Sequence, residues 1–319
     1  MAVDFHQLID RNKRNSVILM VVFVVLIAAA AGLIGQAIGG DWAHAIFIGA
    51  VATVLSLIMV MASYYGGTSA VLSMSRARAI AKSDDPQLFN VVEEMSVSAG
   101  LPMPRIYVID DSAPNAFATG RDPAHGVLVI TTGLRSKLTR DELQGVVAHE
   151  MSHIRNYDIR YMMLVAVMVG VIVMMCDLFL RSLWYGGRGR RRSSSRGGRG
   201  GGGAQAILML LAIVMAIIAP LLAKLIQMAV SRQREYLADA SAVQLTRYPL
   251  GLAGALAKIA GDTEPLEAAN RGTQHMYIVN PLNKTADWRS GLFATHPPIE
   301  DRIARLRALA HEYPASRAE

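Results

Sequence analysis

Charged residues are scarce in this chain of 319 amino acids. Asp, Glu, Lys and Arg make up 18% of it, whereas hydrophobic residues make up 52%. An average soluble protein has roughly 25% charged residues. Charge is absent altogether from residues 15–40 and again from residues 42–74. A bilayer core requires about 20 consecutive apolar residues, so these runs exclude a purely soluble globular protein.

Cysteine is almost absent as well. The sequence contains one, Cys176, and it lies in an apolar run. A single cysteine cannot form an intramolecular disulfide, and it cannot build a zinc site from several thiolates. The sequence therefore excludes both a disulfide framework and a cysteine-based zinc site.

The net charge of +7 is concentrated rather than spread along the chain. The Gly/Ser-rich segment 185–203 accounts for nearly all of it through six arginines: Arg188, Arg190, Arg191, Arg192, Arg196 and Arg199. A segment of this composition cannot bury a core, so it indicates a low-complexity loop. An anionic lipid surface could attract such a loop, and we expect no nucleic-acid partner.

Four hydrophobic segments divide the chain: 17–37, 45–65, 161–184 and 206–228. The first two contain no charged residue and predict membrane-spanning helices. The third carries Asp177 and Arg181, and the fourth carries Pro220, Lys224 and Gln227. These side chains are costly in hydrocarbon. The second pair of segments could therefore span the bilayer or lie in its interface as a hairpin.

The charges around the first two segments predict their orientation. Basic residues flank this hairpin on both sides, namely Arg11, Lys13, Arg14, Arg76, Arg78 and Lys82. Its tip, residues 39–43, has no Lys or Arg, so the positive-inside rule places both ends in the cytoplasm. A signal peptide is the alternative for the first segment, but its apolar run exceeds the usual 7 to 15 residues. If the second pair also spans, the Arg-rich loop 185–203 lies outside, against the same rule.

The polar residues 76–160 carry the signals of a small α+β unit. Asp85 followed by Pro86 predicts the start of a helix, and Gly100 predicts its end. Two short runs rich in β-forming residues predict strands, at residues 105–109 and 127–132. With a further helix after them, the order favours an α+β fold.

That further helix carries the chemistry. It begins at a capping box made by Thr139 and Glu142 and contains His149, Glu150 and His153 in an H-E-x-x-H pattern. Positions i and i+4 of a helix share one face. Both imidazoles can therefore bind one Zn²⁺ while the glutamate acts beside the metal as general base. The alternative is a pair of exposed helical histidines next to an acid.

A catalytic zinc also needs a third protein ligand and an open position for water. Residues 154–160 contain no further histidine, so the third ligand must come from elsewhere. Glu235 and Asp239 follow the fourth apolar segment and lie on one helical face. In this arrangement Glu235 could bind the zinc while Asp239 accepts a hydrogen bond from one of the histidine ligands. Taken alone, the two could equally be solvated helix charges.

Several separated motifs follow one another along the chain. They are H-E-M-S-H at 149–153, two hydrophobic segments, S-R-Q-R-E-Y-L-A-D at 231–239 and T-H-P-P-I-E-D-R-I at 295–303. In this order they resemble the HtpX-like membrane metalloproteases, which are relatives of the CAAX prenyl endopeptidases. The resemblance covers almost the whole chain, including the N-terminal hairpin and the P-N-A-F-A-T-G run at 114–120.

The resemblance implies a fold and a division of the chain. The fold is mostly α, an α+β zincin-like protease domain combined with transmembrane helices, at the cytoplasmic side of a bacterial inner membrane. The expected parts are a tail and transmembrane hairpin at 1–75, the first part of the protease domain at 76–160, a second hairpin at 161–230 and the rest of the protease domain at 231–319.

The resemblance also implies roles for single residues. His149, His153 and Glu235 are the expected zinc ligands, with Glu150 as the catalytic base. His296 is an expected oxyanion donor, and Arg302 is a second candidate; either could instead tie the C-terminal helix to the core. A further pair, Asn115 and Ala116, is expected in an edge strand that could bind substrate backbone.

We therefore expect a membrane-bound zinc endopeptidase whose substrates are polypeptides, above all membrane proteins. His153 lies seven residues before Arg160, where the third segment begins, and Glu235 lies seven residues after Met228. About 10 Å of helix would separate each ligand from the bilayer, which predicts cleavage near the cytoplasmic surface. The family resemblance implies proteolytic quality control. A CAAX-type processing enzyme and an inactive membrane scaffold are the alternatives.

Overall fold

The chain was studied as a computed structural model that describes residues 5–39, 41–168, 170–171, 232–268, 273–279 and 297–310. It forms two compact units. The first comprises Met1–Ser16, Tyr65–Ala166 and Ile226–Glu319. The second comprises Val17–Tyr64 and Val167–Leu225.

Two long helices follow one another at the N-terminus, α1 at Phe5–Gly39 and α2 at Trp42–Met74. Each contains a stretch long and apolar enough to cross a membrane, with mean hydropathy 2.9 over Ile9–Leu33 and 2.5 over Trp42–Met74. All but three of the large hydrophobic side chains exposed among the described residues lie on these two helices. Exposed apolar surface of this extent is typical of an interaction surface for protein or membrane, and the two helices lie where the first two spans were predicted.

The other two hydrophobic segments are described only in part. Residues 158–168 are helical, and the side chains from Tyr161 to Ala166 are buried in protein. The rest of the third segment, apart from 170–171, and all of segment 206–228 lie outside the described residues. Two of the four predicted spans are thus present as helices of membrane length.

A four-stranded sheet lies in the first unit, with strand order β1-β2-β4-β3. The strands are β1 at Arg78–Ala79, β2 at Arg105–Ile109, β3 at Ala116–Thr119 and β4 at Val127–Thr131. β2 and β4 are parallel, and β3 runs antiparallel to β4. The two strands predicted from β-forming residues are confirmed to within one residue, and β3 is an edge strand as expected.

The helices of the first unit begin and end at the predicted signals. α3, Pro86–Ala99, is capped by Asp85, whose side chain accepts a hydrogen bond from the backbone N–H of Leu88 at 3.0 Å. It ends at Gly100 with φ 65°, a left-handed conformation that glycine adopts without steric cost. The remaining helices are α4 at Thr132–Lys137, α5 at Arg140–Arg155, α6 at Arg232–Thr246, α7 at Pro249–Gly261 and α8 at Ile299–Ala310.

Helix α5 is the centre of this unit. Its capping box is formed, because the side chains of Thr139 and Glu142 each accept a hydrogen bond from the other residue's backbone. Residues Leu143 to Ile154 are all buried, and the apolar core around them draws on α3, the sheet and α7. The described part of the molecule is therefore mostly helical with one small sheet, which agrees with an α+β protease domain.

The chain turns sharply after α5. The helix ends at Arg155, and Tyr157 has a φ of 60° before a new helix starts at residue 158. The expectation of a continuous helix between His153 and the third segment is therefore wrong. No glycine or proline marks this turn in the sequence, so contacts from other elements have to fix it.

Candidate metal centre

Helix α5 presents three residues of the H-E-x-x-H pattern in a buried position. His149, Glu150 and His153 are 0%, 2% and 5% exposed. The Nε2 atoms of the two histidines face each other at 3.2 Å. They are therefore not the exposed helical histidines of the alternative interpretation, and their i, i+4 spacing brings both rings to one point.

Helix α6 brings Glu235 to the same point. Its Oε1 lies 3.6 Å from His153 Nε2, and its Oε2 lies 3.7 Å from His149 Nε2. Each of the three residues offers one ligand atom, and these atoms all lie within 4.8 Å of one another. The side chain of Glu235 is 6% exposed, so it is not a solvated helix charge.

The donor set fits a zinc ion. Two nitrogen ligands at about 2.0–2.1 Å from a tetrahedral zinc are about 3.3 Å apart, close to the 3.2 Å between the two Nε2 atoms. Two imidazoles with one carboxylate form a ligand set of catalytic zinc sites, which leave a further position for water or substrate. His149, His153 and Glu235 could thus hold one zinc ion.

Each histidine is oriented by a carboxylate at its other ring nitrogen. Nδ1 of His149 lies 2.9 Å from Asp239 Oδ1, and Nδ1 of His153 lies 3.1 Å from Asp158 Oδ2. A carboxylate can only accept here, so each Nδ1 carries a proton, and each Nε2 faces the common point, where it would present its lone pair to a bound metal. The sequence predicted the role of Asp239 but missed Asp158, whose only signal is an acid five residues after His153.

The base candidate Glu150 lies next to the edge strand. The backbone of Ala118 in β3 is among the groups that act on its carboxylate and favour its charged form. Burial raises the pKa of Glu150 to about 7; the charge of Glu235 adds to the rise, and His153 opposes it. A carboxylate with a pKa near neutrality can both accept and return a proton at physiological pH.

The two histidines have opposite electrostatic surroundings. Burial lowers the pKa of His149, and the nearby Arg302 charge adds to this effect against Asp239. Burial also opposes protonation of His153, but the carboxylates of Asp158, Glu235 and Glu150 outweigh it and raise its pKa to about 9. This excess of negative charge stabilises a cation at the centre.

Arg302 of α8 is tied to the carboxylates around the histidines. Its guanidinium donates to Asp239 Oδ2 at 2.8 Å and Oδ1 at 2.7 Å, and to the carbonyl of Ile278 at 3.1 Å. It also lies 3.3 Å from Glu235 Oε2. With 1% exposure, the side chain connects α8 to α6, which favours the structural alternative for this residue. The other oxyanion candidate, His296, lies outside the described residues.

The predicted substrate-binding residues lie at the outer edge of the sheet. Ala116 is the first residue of β3, and Asn115 precedes it. Both are 1% exposed because the chain itself covers them. The N–H of Ile278 donates to the carbonyl of Ala116 at 2.9 Å, and Asn115 Nδ2 donates to the carbonyl of Val279 at 2.9 Å. This position of the edge is therefore paired with residues 278–279.

The chain is similar to known proteases over most of its length. The model of peptidase family M48 matches residues 82–310. The protease HtpX homolog of Dictyoglomus thermophilum is 44% identical over 310 residues, which are 97% of this chain and 96% of that protein. The protease HtpX homolog of Lactiplantibacillus plantarum is 43% identical over 300 residues, or 94% of this chain and 98% of that protein.

Among solved structures, the crystal structure of S. mikatae Ste24p is similar, with 19% sequence identity and a TM-score of 0.42. The match covers 78% of this chain and 58% of that chain. The family match spans most of the chain, and the curated relatives match over nearly their full length. With two helices fit to cross a membrane, the chain is a membrane metalloprotease that acts on polypeptides and belongs to peptidase family M48.

Proposed function

We propose that this protein is a zinc-dependent endopeptidase that cleaves membrane proteins close to the cytoplasmic surface of a bacterial inner membrane. The observation that carries the zinc assignment is the pair of facing Nε2 atoms, 3.2 Å apart, with the carboxylate of Glu235 beside them. His149, His153 and Glu235 would hold one zinc ion per chain, supplied by the protease parts 76–160 and 231–319.

Each residue of the centre has a distinct task in this proposal. Bound zinc would supply Lewis acidity that polarises the scissile carbonyl and acidifies a water. Glu150 accepts the proton of the attacking water and then delivers it to the leaving amine. Asp239 and Asp158 hold the histidine rings through Nδ1. Arg302 neutralises Asp239 and fixes the helix that carries Glu235.

The proposed substrate site runs along β3. An extended peptide can add to the edge of a sheet through main-chain hydrogen bonds. Asn115 and Ala116 stay our proposed contacts, and their use requires Ile278 to give up its bond to Ala116. Ala118 of the same strand lies near Glu150, so a peptide along this edge would pass beside the base. His296 and Arg302 remain the proposed oxyanion donors. Arg302 could donate to the oxyanion only if it gave up its hydrogen bonds to Asp239 and to the carbonyl of Ile278.

The proposed setting is a multi-pass protein with its protease domain in the cytoplasm. The basic residues on both sides of the first hairpin and their absence from its tip support this orientation. We further propose that segments 161–184 and 206–228 span the membrane and that the protein serves quality control of misfolded membrane proteins. A specific processing protease of CAAX type is the alternative function, and it would require one lipidated terminus as substrate.

The test uses the full-length protein purified in detergent together with Glu150→Gln. The wild type should bind about one zinc ion per chain and hydrolyse casein. Glu150→Gln should keep the zinc but lose hydrolysis, because the amide has a similar shape and cannot accept the proton of water.

Three results would contradict this proposal or select an alternative. Activity of Glu150→Gln above a few percent of wild type would exclude the assigned base. Zinc-loaded protein that leaves casein intact but cuts a prenylated peptide would favour the processing enzyme. Zinc-loaded protein inactive on every polypeptide tested would favour the scaffold.

A further inference from the structure

The first turns of α1 carry a buried polar side chain that contacts the turn behind α5. Asn12 is 3% exposed although it lies among the charged residues Arg11, Lys13 and Arg14. Its Nδ2 donates to the backbone carbonyl of Asn156 at 2.8 Å. The residue belongs to the first compact unit, which includes Met1–Ser16.

The other hydrogen bond of the same amide goes to the aspartate of the metal centre. Asn12 Nδ2 donates to Asp158 Oδ1 at 2.7 Å. Both partners of this nitrogen can only accept, one being a carbonyl and the other a carboxylate. The orientation of the amide is therefore fixed by its surroundings, and its two N–H groups are used in full.

The carboxylate of Asp158 joins Asn12 to a proposed metal ligand. One oxygen takes the bond from Asn12 and lies 3.5 Å from Arg234 Nε. The other oxygen accepts from His153 Nδ1 at 3.1 Å. A carboxylate held at both oxygens cannot rotate without breaking one of these bonds. Asp158 is 3% exposed, so water cannot easily replace a lost partner.

The backbone between α5 and residue 158 also depends on α1. Tyr157 has a φ of 60°, a region that non-glycine residues rarely adopt. A conformation of this kind persists where neighbouring groups hold it. Asn12 bonds to the carbonyl just before this residue, and Lys13 places its Nζ 4.5 Å from the centre of the Tyr157 ring. Two adjacent residues of α1 thus contact three consecutive residues of the turn.

We propose that Asn12 is a positioning residue of the metal centre. It holds Asp158 in the orientation that fixes the Nδ1–H tautomer and the ring plane of His153. The N-terminal helix is thereby part of the active site as well as a membrane anchor. The inference rests on the proposed function, in which His153 binds zinc.

The test measures the zinc dissociation constant of the full-length protein in detergent, by competition with a fluorescent chelator. Removal of the amide in Asn12→Ala should weaken zinc binding roughly tenfold, the lower end of the range for residues around metal ligands. Asn12→Leu, of similar size but unable to donate, should give the same loss. Because leucine fills the space of the asparagine side chain, Asn12→Leu separates the effect of the missing hydrogen bonds from the effect of a packing defect.

Ser16→Ala is the matched control. Ser16 lies one turn further along α1, is 0% exposed, and donates to the carbonyl of Asn12 at 2.9 Å. Its removal should leave the zinc dissociation constant unchanged. The melting temperatures of the metal-free proteins report how far each substitution destabilises the fold itself. Asn12→Leu should lower the melting temperature more than Ser16→Ala, because it leaves two buried acceptors without a donor.

A double-mutant cycle with Asp158→Ala makes the test specific. If Asn12 acts through Asp158, adding Asn12→Leu to Asp158→Ala should weaken zinc binding no further. Wild-type zinc affinity in Asn12→Leu would overturn the inference, and so would a loss that persists unchanged in the Asp158→Ala background. His153→Ala separates the two proposals, since unaltered zinc binding in that variant would refute the proposed ligand set itself.

Discussion

Each histidine of the H-E-x-x-H pattern uses its two ring nitrogens for different tasks. The Nε2 atoms of His149 and His153 converge at 3.2 Å, while each Nδ1 faces a carboxylate. The carboxylates fix the tautomers, and neutral imidazole with its proton on Nδ1 is the form that can bind a metal through Nε2. The centre is therefore pre-organised for a cation by hydrogen bonds that local spacing alone does not provide.

The third ligand and its neighbour in α6 should respond differently to substitution. Glu235→Ala should lose the metal, since two histidines without a third protein ligand hold zinc poorly. Asp239→Asn keeps an oxygen for the Nδ1–H of His149 and should weaken zinc affinity or activity by about 10- to 100-fold. Atomic absorption after dialysis against a weak chelator measures both. Stoichiometric zinc in Glu235→Ala would show that this carboxylate is not a ligand.

Asp239 has an additional partner that only the structure reveals. Both of its oxygens accept hydrogen bonds from Arg302. Burial alone would raise the pKa of Asp239, but the charge and hydrogen bonds of Arg302, together with those of His149, outweigh burial and lower it. Asp239→Ala would leave a buried guanidinium without its main partner, which costs about 3–5 kcal/mol of folding free energy. The asparagine variant also loses the charge but keeps one acceptor oxygen and the shape of the side chain, so it disturbs the fold less than alanine does.

How far the sequence predicts the centre depends on how local the signal is. His149, Glu150 and His153 share one helix, so their spacing was enough, and Glu235 was found through its motif. Asp158 and Asn12 were missed. Asp158 follows a turn that has no glycine or proline, and Asn12 is one of several polar residues in a basic N-terminal tail. Only tertiary contacts bring them together, 146 residues apart in sequence.

At the scale of elements too, features with a local sequence signal were predicted, and features that depend on tertiary contacts were not. Asp85, Gly100 and the capping box at Thr139 act within one turn of the backbone, and all three helix ends occur as predicted. β1 has two residues, too few for any periodicity. The bend at Tyr157 has only Asn156, a common turn residue, as a local signal, and the contacts that α1 makes with it are not visible in the sequence.

Helix α5 approaches α7 closely through glycine. A Cβ added to Gly145 would lie 2.6 Å from the backbone N and 2.8 Å from the Cα of Leu252. These are backbone atoms, so Gly145→Ala has to push the two helices apart. We expect a loss of about 1–3 kcal/mol in the free energy of unfolding, together with reduced hydrolysis because α5 carries the ligands. Chemical unfolding in detergent and casein turnover measure the two effects.

Gly254 of α7 provides the control for this prediction. A Cβ there would meet Oε1 of Glu142 at 2.9 Å, the far end of a side chain that can move. The Glu142 carboxylate also accepts from the Thr139 N–H and from Lys258, so moving it weakens the cap of α5. Gly254→Ala should therefore cost less than Gly145→Ala, with part of its cost offset by the better helix propensity of alanine. Equal stability of Gly145→Ala and Gly254→Ala would contradict the claim that backbone contact limits this crossing.

At the scale of the whole molecule, the protease unit is assembled from distant parts of the chain. The first compact unit draws on the N-terminal residues, on 65–166 and on 226–319. The metal centre uses all three parts, through Asn12, His153 with Asp158, and Glu235. A fragment that begins after α2 would keep the proposed ligands but lose the donor to Asp158. The membrane anchor is therefore not a dispensable attachment to a soluble enzyme.

The position of Asn12 along α1 also bears on where substrates are cut. The charge-free run begins at Asn15, three residues later in the same helix, a rise of about 4.5 Å. The turn at Tyr157 interrupts the helix from which the distance between His153 and the third segment was predicted. The rise from Asn12 to Asn15 is a second, independent measure of how close the centre's contacts come to the charge-free run. It motivates the prediction that an anchored substrate is cut within its first few tens of residues beyond the bilayer, since a tether gives high local concentration only within its reach.

Anchored model substrates with one cleavable sequence moved stepwise away from the membrane would test this prediction. Cleavage by the protein in proteoliposomes should be fastest for the nearer positions and should fall as the linker lengthens, because the effective concentration of a flexible tether decreases with its length. The same sequence without an anchor, at equal total concentration, should be cut more slowly and serves as the control.

Equal rates at all distances would refute the prediction that substrates are cut close to the membrane surface. Cleavage restricted to substrates whose soluble part lies on the side opposite the N-terminus would refute the proposed orientation.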